Sequence, residues 1–168
     1  MNKNFQDRKP TRLNKYDYSK KGAYFLTICT QDRKRILSRV VGTGVLDGPK
    51  IELTDYGKIA DKYIKQLNDF YEYILIERYV IMPDHIHILL YVKKNGPSGT
   101  PVPTNQNSTI SRFISTFKRF CNKEYGGNIW QYRSYDHVIR DKEDYEKHVK
   151  YIYENPIKWY YEKNDLAE

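Results

Sequence analysis

Tyr73-Ile-Leu-Ile-Glu-Arg-Tyr-Val-Ile-Met82, then Pro83-Asp84, then His85-Ile-His-Ile-Leu-Leu-Tyr-Val92 decides the fold. Both runs are rich in β-branched and aromatic residues, and the Pro-Asp pair between them is a turn signal, so two strands are expected. A link this short joins antiparallel neighbours, because a parallel partner needs a crossover of a dozen residues or more. Upstream, Ala23-Tyr-Phe-Leu-Thr-Ile-Cys-Thr30 reads as an earlier strand. Ser38 to Glu52, with Gly42, Gly44, Asp47-Gly48 and Pro49, reads as a turn or short hairpin outside the core. Leu53-Thr54-Asp55 caps a helix over Tyr56 to Phe70, whose Ile59, Tyr63, Ile64 and Leu67 fall on one side.

Lys94 to Asn107 is poor in hydrophobic residues and full of breakers, and is expected to be a loop. Ser108 or Thr109 then caps an amphipathic helix to about Tyr125. Ile110, Phe113, Ile114, Phe117, Phe120 and Cys121 form its apolar stripe. Trp130 to Arg140 supplies an irregular segment and a fourth strand around His137-Val-Ile-Arg140. A final helix runs from Lys142 to Asn155 and ends at Pro156. This order predicts an α+β domain of ferredoxin-like type, an antiparallel sheet with helices packed on one face.

The chain has 168 residues, enough for one domain with its own core, and 39% hydrophobic and 30% charged residues, as in soluble globular proteins. No run of about 18 apolar residues is present and Met1 to Pro10 is polar, so neither a membrane span nor a signal peptide is expected. A cytoplasmic protein is the expectation. Cys29 and Cys121, far apart in apolar surroundings, read as buried core residues and not as a disulfide or zinc pair. The net charge of +8 points to a polyanionic partner. Residues 1–21 form a basic arm, with seven basic residues against two acidic ones, ahead of a single domain over 22–168. Seventeen tyrosines beside this charge suit unpaired bases, on which aromatic rings stack, although tyrosines also fill cores and their rims.

Two constellations carry possible chemistry. Alternation along a strand puts His85 and His87 on one face, with Cα atoms roughly 6.7 Å apart, close enough to converge on one metal ion. Taken alone, the pair fits a solvated strand face at least as well. Tyr151 and Asn155 are four residues apart on the last helix, about 40° apart around its axis, and so share a face. Tyr153 points the other way, which makes it and Tyr145 weaker partners for the same site. The Asn155 side chain could complete an ion site begun by two imidazoles, with Mg²⁺ or Mn²⁺ suited to the mixed donors. Each residue also has an ordinary structural reading: Tyr151 packs on the sheet, and Asn155 caps a helix before a proline. Together they describe a metal that polarises a phosphate and a tyrosine that attacks it.

With those residues in view, the chain resembles the REP-associated tyrosine transposases, within the single-tyrosine transposases of the HUH endonuclease superfamily. The matching stretches are Tyr79-Val-Ile-Met-Pro-Asp-His-Ile-His-Ile-Leu89, Ile129-Trp-Gln, Tyr135-Asp-His-Val-Ile-Arg140 and His148-Val-Lys-Tyr-Ile-Tyr-Glu-Asn-Pro-Ile-Lys158, with Tyr16-Asp-Tyr-Ser and Phe25-Leu-Thr-Ile-Cys-Thr at the start. The resemblance implies a ferredoxin-like fold, cleavage of single-stranded DNA near hairpins, a 5′-phosphotyrosine intermediate, a free 3′-OH and strand transfer. By position, His85 and His87 match the metal ligands, Tyr151 the nucleophile and Asn155 the third ligand. Catalytic roles are thereby implied for Tyr151, His85 and His87. His137 falls in a matching block, and an ordered contact to Asp136 or to the final helix is as good a reading of it as catalysis.

Arg8, Lys9, Arg12 and Lys15 of the arm, with Arg112, Lys118 and Arg119 of the amphipathic helix, are candidates for DNA backbone contacts. The expected partner is single-stranded or hairpin DNA, and a monomer is favoured over a homodimer. Two other readings stay open at this stage. One is a non-catalytic nucleic-acid-binding module, and the other a metal-dependent hydrolase that uses water.

Overall fold

The structure, a computed structural model, describes residues 16–42, 48–93 and 108–164, with side chains to residue 162. The Arg8, Lys9, Arg12 and Lys15 candidates, the greater part of the basic arm and the expected 94–107 loop lie outside these. Four strands form one antiparallel sheet in the order β4-β5-β1-β6: β1 is Gly22–Cys29, β4 Ile74–Ile81, β5 His85–Val92 and β6 Tyr135–Val138. Helix α1 (Asp55–Phe70) precedes β4 and helix α2 (Thr109–Tyr125) precedes β6. The β-α-β-β-α-β order and the placement of β1 between β5 and β6 are ferredoxin-like.

The helix ends follow from local chemistry. The Thr54 hydroxyl accepts from Gly57 N–H at 3.2 Å, and the Ser108 hydroxyl accepts from Ser111 N–H at 3.2 Å. Each satisfies one of the free amides of a helix start. At the far end of α2, Gly126 adopts φ 74°, the left-handed turn that stops a helix. The fourth strand begins two residues before the expected His137, at Tyr135.

The sheet is covered on both faces. On one, Leu26 and Ile28 of β1 and Ile86, Ile88 and Leu90 of β5 pack against Ile64 and Leu67 of α1 and Phe113 and Phe117 of α2. On the other, Phe25, Val80 and Leu89 pack against Ile152, Val149 and Trp159 of the last helix, α3 (Lys142–Asn164). The expected one-sided layer thus holds for α1 and α2, while α3 closes the opposite face. Strand β5 explains why: Leu89 points away from Ile88 and Leu90 and is as fully buried as they are. A strand apolar on both sides needs a cover on both.

Two expectations change in this second layer. The Ser38 to Glu52 stretch pairs antiparallel, β2 (Ser38–Gly42) with β3 (Pro49–Leu53), as the short-hairpin reading expects, but its Val40 and Ile51 join the α3 core instead of standing outside it. Helix α3 does not end at Pro156 but runs through it to Asn164. A proline inside a helix removes one hydrogen bond and crowds the preceding turn, at a cost of about 3 kcal/mol. Burial of Ile152 and packing of Trp159, on either side of Pro156, hold both halves against the sheet and offset that cost. Cys121 is fully buried as expected, but Cys29 is only half-buried and its sulfur accepts from Arg33 Nη1 at 2.8 Å.

Helix α1 approaches the chain before β2 so closely that only glycine fits at 57: a Cβ there would lie 2.0 Å from the Leu37 carbonyl oxygen. That carbonyl also accepts from Thr54 N–H at 3.0 Å, so it has no room to retreat. Gly57→Ala is expected to destabilise the fold by about 2–3 kcal/mol despite alanine's better helix propensity. Urea unfolding of the two proteins checks this, and equal or greater stability of the alanine variant would contradict the packing described.

Candidate active site

Strand register builds the site. Val80, His87, Thr27 and Tyr135 lie side by side across β4, β5, β1 and β6, so all four project from the α3 face of the sheet. His85 is one pleat further along β5, opposite Cys29. Helix α3 brings Tyr151 and Asn155 over this row. A cleft of about 460 Å³ results, lined by Thr27, Arg33, His85, His87, Tyr135, Tyr151, Asn155, Lys158, Trp159 and Glu162.

The imidazoles are held by different neighbours. His85 Nδ1 lies 2.5 Å from Asp84 Oδ1, and a carboxylate can only accept, so Nδ1 carries the hydrogen and, in the neutral ring, Nε2 has the free lone pair. Asp84 Oδ2 is in turn 3.2 Å from Arg33 Nε. Burial would raise the Asp84 carboxyl, but the bond to His85 and the charges of Arg33 and Arg35 outweigh it and hold the group below the ordinary carboxylate range. His87 Nδ1 shares a hydrogen bond with Thr27 Oγ1 at 2.9 Å. Burial, then the neighbouring His85 and Arg33, push the His87 imidazole down to about 3. The ring is therefore neutral near pH 7, and its Nε2 is a buried polar atom with no protein partner.

An orphaned imidazole nitrogen beside a second one with a free lone pair, 4.5 Å between ring centres, is a donor set that a divalent cation would satisfy. The nearly buried Asn155 adds an amide oxygen to the same cleft. The residues present fit a metal ion.

Tyr151 stands edge-on to His87, with ring centres 5.1 Å apart, and edge-on to Phe25 at 6.0 Å. Lys158 Nζ lies 5.8 Å from its ring centre. The side chain is 41% exposed, so a nucleic-acid strand can reach it. The two other tyrosines weighed on this helix are elsewhere: Tyr145 packs in the α3 core with its hydroxyl donating to Glu77 at 3.1 Å, and Tyr153 is 79% exposed on another side. His137 bonds to Asp144 of α3, so of its readings the contact to the final helix is the one observed.

Of the basic candidates on α2, none lines the cleft. Arg112 and Arg119 are exposed on a helix across the sheet from His85 and His87, and Lys118 donates to the Gln131 and Tyr132 carbonyls. The cleft's cations are Arg33 and Lys158. Sequence reading missed Lys158, Trp159 and Glu162 because it stopped the helix at Pro156. It also passed over Arg33, although an Arg-Lys-Arg run directly after β1 is a visible cationic signal.

Asp84 stands where a carboxylate would orient His85 on a metal ion, and such partners are worth about 10–100-fold in metal affinity. Asp84→Asn keeps the shape and is expected to weaken Mn²⁺ binding by about that factor, measured by calorimetry. Unchanged affinity would show that the Asp84–His85 pair is purely structural.

Comparison with known proteins identifies the family and the fold. The family described as Transposase IS200 like matches residues 18–155. An uncharacterised Haemophilus influenzae protein is 28% identical, covering 94% of this chain and 93% of the relative. A second protein of that organism, assigned to the REP-associated tyrosine transposases, is 31% identical over 84% of this chain and 74% of its own length. The solved structure of a REP-associated tyrosine transposase bound to a REP hairpin shares the fold, with a TM-score of 0.60 at 24% identity over 88% of this chain and 73% of that one.

Proposed function

This chain belongs to the IS200-like transposase family, and from that premise we propose that it cleaves and rejoins single-stranded DNA near hairpins, with Tyr151 as nucleophile and His85, His87 and Asn155 as metal ligands. The observation that carries the reading is the convergence of a buried, unpartnered His87 Nε2 and an accessible tyrosine in one cleft. The bound ion, Mg²⁺ or Mn²⁺, would supply Lewis-acid polarisation of a phosphate oxygen.

The chain's own residues do the rest. Arg33 and Lys158 attract and orient the phosphate at the mouth of the cleft. Phe25 and His87 fix the Tyr151 ring, which reduces the freedom lost on reaching the reactive pose. The Tyr151 oxygen forms a bond to phosphorus while the bond from phosphorus to O3′ breaks. The phenolic proton is given up and the departing O3′ gains one, leaving a 5′-phosphotyrosine and a free 3′-OH. The new ester conserves the energy of the broken one, so a 3′-OH can later reverse the step without a nucleotide cofactor. The REP hairpin bound by the structural relative supports a hairpin-bearing strand as substrate. The expected unit is a monomer in the cytoplasm. Among the described residues no helix is long and apolar enough to cross a membrane.

A hairpin-bearing strand incubated with the protein and Mn²⁺ tests this. The expected product is a protein–DNA adduct that survives denaturation, together with a free 3′-OH fragment. Cleavage without an adduct would instead indicate a hydrolase that uses water, and binding without cleavage under either metal a non-catalytic module.

A further inference from the structure

The chain has four histidines, and they form two pairs. One is His85 with His87. The other, His137 of β6 and His148 of α3, lies outside the 460 Å³ cleft and plays no part in the reaction above. We propose that His137, Asp144 and His148 form a second, independent divalent-ion site, selective for borderline ions such as Zn²⁺, Co²⁺ or Ni²⁺, that ties the edge strand β6 to the helix carrying Tyr151.

One ligand atom from each residue lies within 4.8 Å of the others. His137 Nε2 is 2.8 Å from Asp144 Oδ2, and His148 Nδ1 is 3.2 Å from Asp144 Oδ1. Ligands that share an ion at about 2.0–2.2 Å stand about 3.0–3.6 Å from one another, so little movement is needed to admit it. The two imidazole rings are stacked, 4.7 Å between centres and 21° between planes, and each aims a nitrogen at the same carboxylate. Asp144 and His148 are one helical turn apart, the spacing that lets two helix residues grip one ion.

The Asp144 carboxylate is itself fixed, because its Oδ2 accepts from Arg140 N–H at 3.1 Å. The three side chains are about one-fifth to one-third exposed, which leaves an ion access and room for water as further ligand. Two imidazoles and one carboxylate suit borderline ions better than Mg²⁺, which prefers oxygen donors.

Binding needs a specific rearrangement. His148 Nδ1 lies 2.8 Å from the Asp144 carbonyl oxygen, an acceptor only, so Nδ1 now carries the hydrogen. To bind an ion through Nδ1, the ring moves that hydrogen to Nε2 through solvent, and His137 likewise moves its own from Nε2 to Nδ1. Neutral rings remain neutral, so no co-reactant is required. The two sites share no ligand. Phe25 packs against one imidazole of each, with ring centres 5.0 Å from His87 and 4.5 Å from His148.

The test is Zn²⁺ stoichiometry on chelator-treated full-length protein. Wild type is expected to bind two ions. The His85→Ala/His87→Ala variant should still bind one and gain about 5–10 °C in Tm at Zn²⁺ near 100 times its Kd. Adding His148→Ala to that variant should remove both effects. Since no other histidine exists, residual Zn²⁺ binding lost with His148 assigns the site. A His85→Ala/His87→Ala protein with native circular dichroism that binds no Zn²⁺, or binds it equally after His148→Ala, overturns the proposal. If that variant does not fold, His137→Gln/His148→Gln alone should lower the count from two to one, and an unchanged count overturns it equally.

Discussion

Tyr151→Phe is expected to leave DNA binding and folding intact while strand cleavage falls by about 10⁴-fold or more, to background. The substitution removes one hydroxyl oxygen and keeps the ring, so the edge contacts to His87 and Phe25 persist. It removes the atom proposed to bond to phosphorus: Tyr145 is engaged with Glu77 in the α3 core, Tyr153 is not among the residues lining the cleft, and Tyr135, the cleft's other tyrosine, stands on β6 with Thr27 of β1 between it and His87. A gel-shift titration with a hairpin-bearing strand, run beside a cleavage time course, separates the two effects. Retained cleavage would make Tyr151 a packing residue and return the chemistry to water.

The second large effect is loss of metal-dependent cleavage in His85→Ala and His87→Ala, each by about 10³-fold or more and without rescue by excess Mn²⁺. The two should differ in stability. Both rings are buried, but Asp84, the partner of His85, keeps Arg33 when that ring is removed, whereas His87 lies against Phe25 and Tyr151 and bonds Thr27. Removing the His87 ring leaves a void and strands the Thr27 hydroxyl, at about 2 kcal/mol. Calorimetric Mn²⁺ binding and thermal melts on both variants check this. A His87→Ala protein that binds Mn²⁺ as wild type does would remove His87 from the ligand set.

Much of this site was legible in the sequence because two periodicities are strict. Alternation along β5 puts His85 and His87 on one face whatever else the fold does, and a spacing of four puts Tyr151 over Asn155 on any helix. The α+β class followed from the order of the elements, and the N-caps of α1 and α2 from Thr54 and Ser108. Which face of the sheet α3 covers depends on packing that no single periodicity records. Its signal was present in β5, where Leu89 is apolar between apolar neighbours on the other side. The proline was misleading for a physical reason. Its local penalty is real, but burial of Ile152 and packing of Trp159 outweigh it, and with the helix ended early Lys158 and Glu162 could not be seen as neighbours of Tyr151. Asp84 lay in plain view in the turn, yet nothing in its spacing tells a turn residue from a group that holds an imidazole. The α2 cations show the converse limit: periodicity places Arg112 and Arg119 on a solvent face without saying that this face lies across the sheet from the chemistry.

Covalent attachment of Tyr151 to DNA is what separates this reaction from hydrolysis by water. Digestion of the denatured adduct, followed by mass spectrometry of the nucleotide-bearing peptide, tests it most directly. A nucleotide on Tyr151, joined through a 5′-phosphate, is expected, in a reaction that requires the divalent ion. A wild-type protein that cleaves the strand but carries no nucleotide, or carries it on Tyr135 or Tyr153, would contradict it.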